Sequence, residues 1–347
     1  MVYHILVASY TESVFTLAFD PVASSLEIIS SLKVGHRPSW ITLHPGDSSI
    51  VFAGLEQTEG RVVVLKYDER GQGKVLGSFS SGGRDPASLL ATKDTLFVGN
   101  YSSGTVLAAP LSTQSPFLYQ STPDVVQLRG KGPKKERQEA SHPHQVVFIP
   151  EREELLVPDL GADKTWRFIK DDKGAWSPAG HVDYKPGSGP RHVVFHDGNM
   201  YTLLELTSQL VTHHLPSLPS SPTTLSTVAT LSNPPQPLGD MLAAELLLYP
   251  SPKPYLYVSN RNDPSPLGDS IAIFSLANPK VPQLVNEVRT GLQHARGMQI
   301  DPHGKWLIAG GVHGGGVKIY ERDNAGQTLK EAAKNNIVQS PTGFLWL

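Results

Sequence analysis

Short runs of Val, Ile, Leu, Phe and Tyr recur along the chain, separated by Gly, Asp, Asn, Ser and Pro, and they predict strands rather than helices. One unit repeats. A Pro or small residue opens an apolar strand, a second strand follows about ten residues later, and a polar turn leads to a third. The openings are RPSWITLHP at Pro38, DPASLLA at Pro86, HPHQVVFIP at Pro143, GPRHVVFH at Pro190, LAAELLLYP at Ala244, HARGMQIDP at Ala295 and SPTGFLWL at Pro341. Their steps are 48, 57, 47, 54, 51 and 46 residues. The second strands (SIVFAGLE, TLFVGNY, ELLVPDLG, NMYTLLEL, YLYVSNR, KWLIAGG) keep the same rhythm, and third strands such as RVVVLKYD and GVKIYER follow them. EVRTGLQHARGMQ and QTLKEAAKNN are too short, and the first too Gly-broken, to outweigh that pattern as helices.

Units of this length built from antiparallel strands predict an all-β fold, a seven-bladed β-propeller with one four-stranded blade per repeat and a single domain over residues 1–347. Only six residues follow the last anchor, while HILVASY and VFTLAFD precede the first. The simplest closure makes GFLWL the innermost strand of a blade whose other strands are N-terminal, which leaves no open edge.

Antiparallel order puts the start of each innermost strand and the end of each second strand on one face, around the channel mouth. Those positions carry His36, Arg37, Arg84, His142, His144, Arg191, His192, Glu245, His294 and Arg296, together with Glu56, Asn100, Tyr101, Asp159, Glu205, Asn260 and Arg261. Asp159 and Asn100 suit Asx turns. His144, Arg191, Glu205 and Arg261 fall in three consecutive blades. An imidazole and a carboxylate can transfer protons, and paired guanidiniums can hold an acid group or an oxyanion.

Composition narrows the partners. With 30 basic and 32 acidic residues the net charge is −2, which argues against a broad grip on nucleic acid or an anionic membrane. No apolar run is long enough for a membrane helix, and MVYHILVASY lacks the basic n-region of a signal peptide. Cysteine is absent, which excludes disulfides and thiolate chemistry and fits a cytoplasmic setting. No His, Asp or Glu spacing makes a metal site, and no cofactor motif stands out. GGVHGGGV at 310–317 lies between strands and lacks the Lys-Ser/Thr of a phosphate loop, so it reads as a hairpin. His213-His214 read as surface, and SNPPQPLGD at 232–240 as a rigid loop. Residues 128–140, LRGKGPKKERQEA, form a basic connection that reads either as a solvated charge run or as a flap for an anionic substrate.

The phrases RQEASHPHQVVFIP, ELLVPDLGAD, GSGPRHVVFH, YLYVSNRND and HARGMQIDPHGKWLIAGG resemble the lactonase family of seven-bladed propellers. That family includes propeller-type 6-phosphogluconolactonases and fungal carboxy-muconate lactonizing enzymes. The resemblance spans nearly the whole chain and is strongest from Arg137 to Gly311. It implies a catalytic set of His144, Arg191, Glu205 and Arg261, with Leu204 standing where the family has Asn. Around this set, His142, His192, Asn260 and Arg296 are expected to bind substrate. The activity expected is hydrolysis of a small anionic lactone with Glu205 or His144 as base, without metal or cofactor because no ligand set is visible. The rival readings are a lactonizing isomerase and a non-catalytic propeller that binds partners.

Overall fold

The computed structural model describes residues 2–115, 117, 123–250 and 253–347. The described residues form seven four-stranded antiparallel sheets arranged as blades. The innermost strands are Pro38–His44, Pro86–Ala91, Val147–Ile149, Pro190–His196, Leu242–Tyr249, Gln293–Ile300 and Pro341–Trp346, in blades 1 to 7. Each begins at or close to its sequence anchor. Blade 3 departs most: its innermost strand has only three residues, and Pro143 makes an isolated bridge to Asp159 instead.

Blade 7 closes the ring. Pro341–Trp346 pairs with Tyr3–Ser9, with Ile5 opposite Trp346 and Val7 opposite Phe344. Ser13–Asp20 and Ser25–Lys33 complete the blade; the second of these, SLEIISSLK, is a strand the hydrophobic pattern passes over because its residues alternate in and out at an outer edge. Both helix-tempting segments are strands, in Gln283–Arg289, Gln293–Ile300 and Thr328–Asn335.

There is no single core. Seven apolar clusters lie between successive blades. Second strands are sandwiched on both faces, so Glu154–Asp159 and Tyr255–Arg261 are buried along their whole length. This explains their continuous apolar runs, since neither face meets water. No helix among the described residues is long and apolar enough to cross a membrane.

One backbone device recurs at the mouth. In five of the seven blades the residue just past the second strand donates its N–H to a carbonyl just before the neighbouring innermost strand. The bonds are Tyr10 to Ser340, Glu56 to Arg37, Tyr101 to Asp85, Leu160 to His142 and Glu205 to Gly189, all 2.8–3.0 Å. Four of the five acceptors, Ser340, Arg37, Asp85 and Gly189, have left-handed φ between 47° and 66°. The innermost strands then bulge, and the bulges fall at Pro190/His192, Ala243/Leu246 and Ala295/Gly297. Arg191, Glu245 and Arg296 sit within these bulges. An extra residue turns its side chain out of the pleat, here toward the mouth.

Candidate active site

Second strand Asn199–Leu204 of blade 4 runs into a short 3-10 turn, Glu205–Thr207, which places the Glu205 carboxylate under the rim, 2% exposed. Three guanidiniums converge on it. Arg191 Nε is 2.8 Å and Arg261 Nη2 3.0 Å from Oε2, and Arg137 Nη2 binds Oε1. Burial alone would raise the carboxyl's pKa, but Arg261, Arg191 and Arg137 reverse that and bring it to about 2. Glu205 is therefore a fixed anion. Arg191 is pushed down to about 9 by burial and by facing Arg261, and it stays charged at neutral pH.

Arg191 is further tied down. Its Nη1 donates to the Ala244 carbonyl and to His192 Nε2, the latter at 3.0 Å. His192 Nδ1 lies 2.6 Å from Glu245 Oε1, so the imidazole carries its proton on Nδ1. The result is a buried chain from Glu245 through His192 and Arg191 to Glu205. On the other side Arg261 Nη1 donates to His294 Nε2 at 3.2 Å, and His294 Nδ1 donates to Asn262 Oδ1 at 2.8 Å. Burial and the Arg261 charge hold His294 at about 3, hence neutral.

His144 stands beside this cluster, its ring edge-on to His192 at 5.4 Å and to Tyr101 at 5.6 Å. It is buried, its Nδ1 has no hydrogen-bond partner among the described residues, and burial followed by the charges of Arg191, His192, Arg296 and Arg261 keeps its pKa well below 6.5. A neutral imidazole can accept a proton at neutral pH.

The four expected catalytic residues thus meet at one place. The expected binding residues divide. His192 and Arg296 belong to the cluster. His142 has both ring nitrogens occupied, by the Tyr101 carbonyl at 2.9 Å and by Glu139 at 3.2 Å, and it stacks on Tyr101 at 4.4 Å. Asn260 is wholly buried, and its amide bonds Thr230 and Ser270. The polar atoms of both side chains thus meet protein groups. His213 also departs from its surface reading: it is buried against Tyr184, and burial lowers it to about 4. Asp159 does make the expected Asx turn, receiving the N–H groups of His142 at 2.6 Å and Ala162 at 3.0 Å.

Arg137 is the residue the sequence reading underrated. It was one of five cations in a loop open to two readings. The loop is in fact docked: Lys134 Nζ donates to the Leu206 carbonyl at 2.9 Å, and buried Gln138 donates to the Leu160 carbonyl at 2.9 Å. Its position seven residues before His144 in RQEASHPH was the available signal. With Arg37, Arg137, Arg191, Arg261 and Arg296 set against Glu56, Glu205 and Glu245, and with His144, His192 and His294 held neutral, this cluster carries excess positive charge. Below it, a cavity of about 370 Å³ lined by Trp40, Glu245 and Gln299 runs along the channel. Among the described residues no group of three or more His, Asp or Glu is arranged to hold a metal ion.

A model of the family described as "Lactonase, 7-bladed beta-propeller" matches residues 4–346. The chain is 29% identical over 356 residues to an Arthroderma benhamiae protein named "Probable 6-phosphogluconolactonase", covering 98% of this chain and 88% of that one. It is 27% identical over 332 residues to the 6-phosphogluconolactonase of Bacillus subtilis, covering 91% and 90%. The solved periplasmic gluconolactonase of Pseudomonas aeruginosa superposes with a TM-score of 0.84 at 24% identity over 100% and 99% of the two chains, which supports the fold. These matches and the closed ring of blades agree: the chain belongs to the lactonase family of seven-bladed β-propellers.

Proposed function

We propose that this protein hydrolyses a small lactone bearing an acid group, with His144 as the base and no metal or cofactor. The observation that carries the reading is the neutral, partly unpartnered His144 beside a carboxylate locked by three arginines. His144 takes a proton from water as the water oxygen attacks the lactone carbonyl carbon. The developing oxyanion lies against the guanidiniums of Arg261 and Arg137. The ring C–O bond then breaks, and protonated His144 returns the proton to the departing alkoxide. Glu205 fixes the guanidiniums in place, and Arg191 acts as the strut that joins it to His192 and Glu245. General-base catalysis of this kind is worth roughly 10²–10⁴-fold, and an oxyanion donor about 3–4 kcal/mol. The relatives' lactonase names support hydrolysis and lend nothing to the isomerase alternative.

The test is a panel of phosphorylated and carboxylated lactones assayed by pH-stat in excess chelator, in water enriched in oxygen-18. The expected result is one oxygen-18 in the product carboxylate, and a loss of at least ~10²-fold in kcat for His144→Asn. Activity abolished by chelator, uptake of solvent deuterium at carbon without oxygen-18, or an unimpaired His144→Asn would each defeat the reading.

A further inference from the structure

The mouth holds a second carboxylate, and its surroundings differ from those of Glu205. By the repeated backbone bond, Tyr10 and Glu56 occupy in blades 7 and 1 the place that Glu205 occupies in blade 4. They lie three blades away, on the opposite side of the ring. The Tyr10 hydroxyl donates to both Glu56 oxygens, at 2.9 and 3.1 Å, and burial pushes its pKa up to about 12, so it remains a donor. Two guanidiniums face the Tyr10 ring, Arg37 at 4.2 Å and Arg296 at 5.0 Å from its centroid.

The closeness and number of their contacts set these cations apart. Arg191 and Arg261 are tied to Glu205, to histidines and, for Arg191, to a carbonyl. Arg296 has one long contact, 3.3 Å to Glu56, and Arg37 reaches Glu56 only at 3.9 Å with its side chain 42% exposed. Among the described residues, most of their donors meet no acceptor. The backbone beneath Arg37 is nonetheless fixed, since its N–H bonds the Thr11 carbonyl at 2.8 Å and its carbonyl receives Glu56. Arg296 also acts electrostatically on both His144 and Arg261, so this cluster and the reactive end share one mouth.

We propose that Arg37 and Arg296, braced on Tyr10 and spaced by Glu56, form an anion subsite that takes a phosphate monoester at the far end of the substrate. This rests on the lactonase reading and deepens it: a molecule with its ester carbonyl at His144 has its tail across the ring. Two guanidiniums with free forks suit a dianion, and Glu56 offsets one of the charges, which keeps the product able to leave.

The experiment compares 6-phosphogluconolactone with unphosphorylated gluconolactone for the wild type, Arg37→Asn and Arg296→Gln. Asn suits the left-handed φ of 52° at position 37. Each variant should lower the ratio of kcat/KM for the phosphorylated over the plain lactone by at least ~10-fold, through KM, as expected for loss of a charge-assisted contact. A ratio within about twofold of wild type overturns the subsite. If the wild type hydrolyses neither lactone, the activity reading fails separately. Calorimetric titration with inorganic phosphate then decides the subsite: saturable binding lost in Arg37→Asn supports it, and absence of saturable wild-type binding refutes it.

Discussion

Glu205 shows how residue identity and residue role come apart. The sequence pointed to a carboxylate at the end of an apolar strand, and such a group reads as a base. With Arg261, Arg191 and Arg137 around it, its pKa sits near 2 and it makes a poor base at neutral pH. Its removal therefore has a structural consequence that the base reading did not foresee. Glu205→Gln keeps the shape but leaves three guanidiniums facing one another, two of them buried. Breaking a buried ionic network costs roughly 3–5 kcal/mol, so a drop of that order in denaturant stability should accompany the loss of activity. An activity loss at unchanged stability would mean that Glu205 acts on substrate and not on the arginines. For His144 the sign of the shift sets the pH profile. Its folded pKa is depressed, so it stays unprotonated from neutral pH down past its unperturbed value of about 6.5. With a lactone whose own acid group does not titrate in the range, kcat/KM should stay level from pH 7 down past 6.5, with its acid limb well under 6.5. The same depression means that stability contributed by neutral His144 is present above about pH 6.5 and is lost as pH falls toward the folded pKa, so folding must be monitored alongside. An acid limb centred at 6.5 or above would exclude His144 as the titrating base.

Elements explain which parts were legible in the sequence. Anchors such as Pro38, Pro86 and Pro190 were visible because an innermost strand must start from a tight connection, and Pro and Gly mark it chemically. Second strands were visible because burial on both faces leaves a continuous apolar run. The bulges that hold Arg191, Glu245 and Arg296 have no such mark, since an extra residue in a ladder is a matter of pairing with a strand elsewhere in the chain. Neither could the 128–140 loop be resolved, because the partners of Arg137 and Lys134 lie some seventy residues away in the Glu205–Thr207 turn. Blade 3 pays for its short inner strand with side-chain bonds instead. Asp159 accepts from the His142 and Ala162 N–H groups, from Ser141 Oγ and from Trp166 Nε1 at 3.0 Å, and so shapes the segment that carries His144. Asp159→Asn puts an amide donor among those donors. Leaving buried donors unpaired costs about 1–3 kcal/mol, and His144 should lose its alignment, so kcat should fall by more than KM changes. Wild-type kcat in a stably folded Asp159→Asn would show that His144 is positioned by other means.

At the scale of the molecule, stability depends on ring closure, because every apolar cluster is an interface between two blades. The Pro341–Trp346 strand serves two of them at once. Phe344 and Trp346 enter the cluster shared with blade 6, and Leu345 the one shared with blade 1. These three side chains are 5–7% exposed, whereas Leu347, the last residue of GFLWL, is 45% exposed. Burial of each large apolar side chain is worth about 1.5–3 kcal/mol. Three of them approach the whole of a typical stability of about 5–15 kcal/mol, before counting the ladder to Tyr3–Ser9. Deleting residues 341–347 also opens Tyr3–Ser9 to water on one edge and parts blade 7 from both neighbours. The truncated chain should be unfolded or molten near room temperature, by circular dichroism and dye binding, while removal of Leu347 alone should shift the melting temperature by only a few degrees, as expected for an exposed position. The contrast matters because both variants shorten the same terminus. A truncation at 341 that melts with the wild type would mean that each blade stands without its neighbour, contrary to a core divided among seven interfaces.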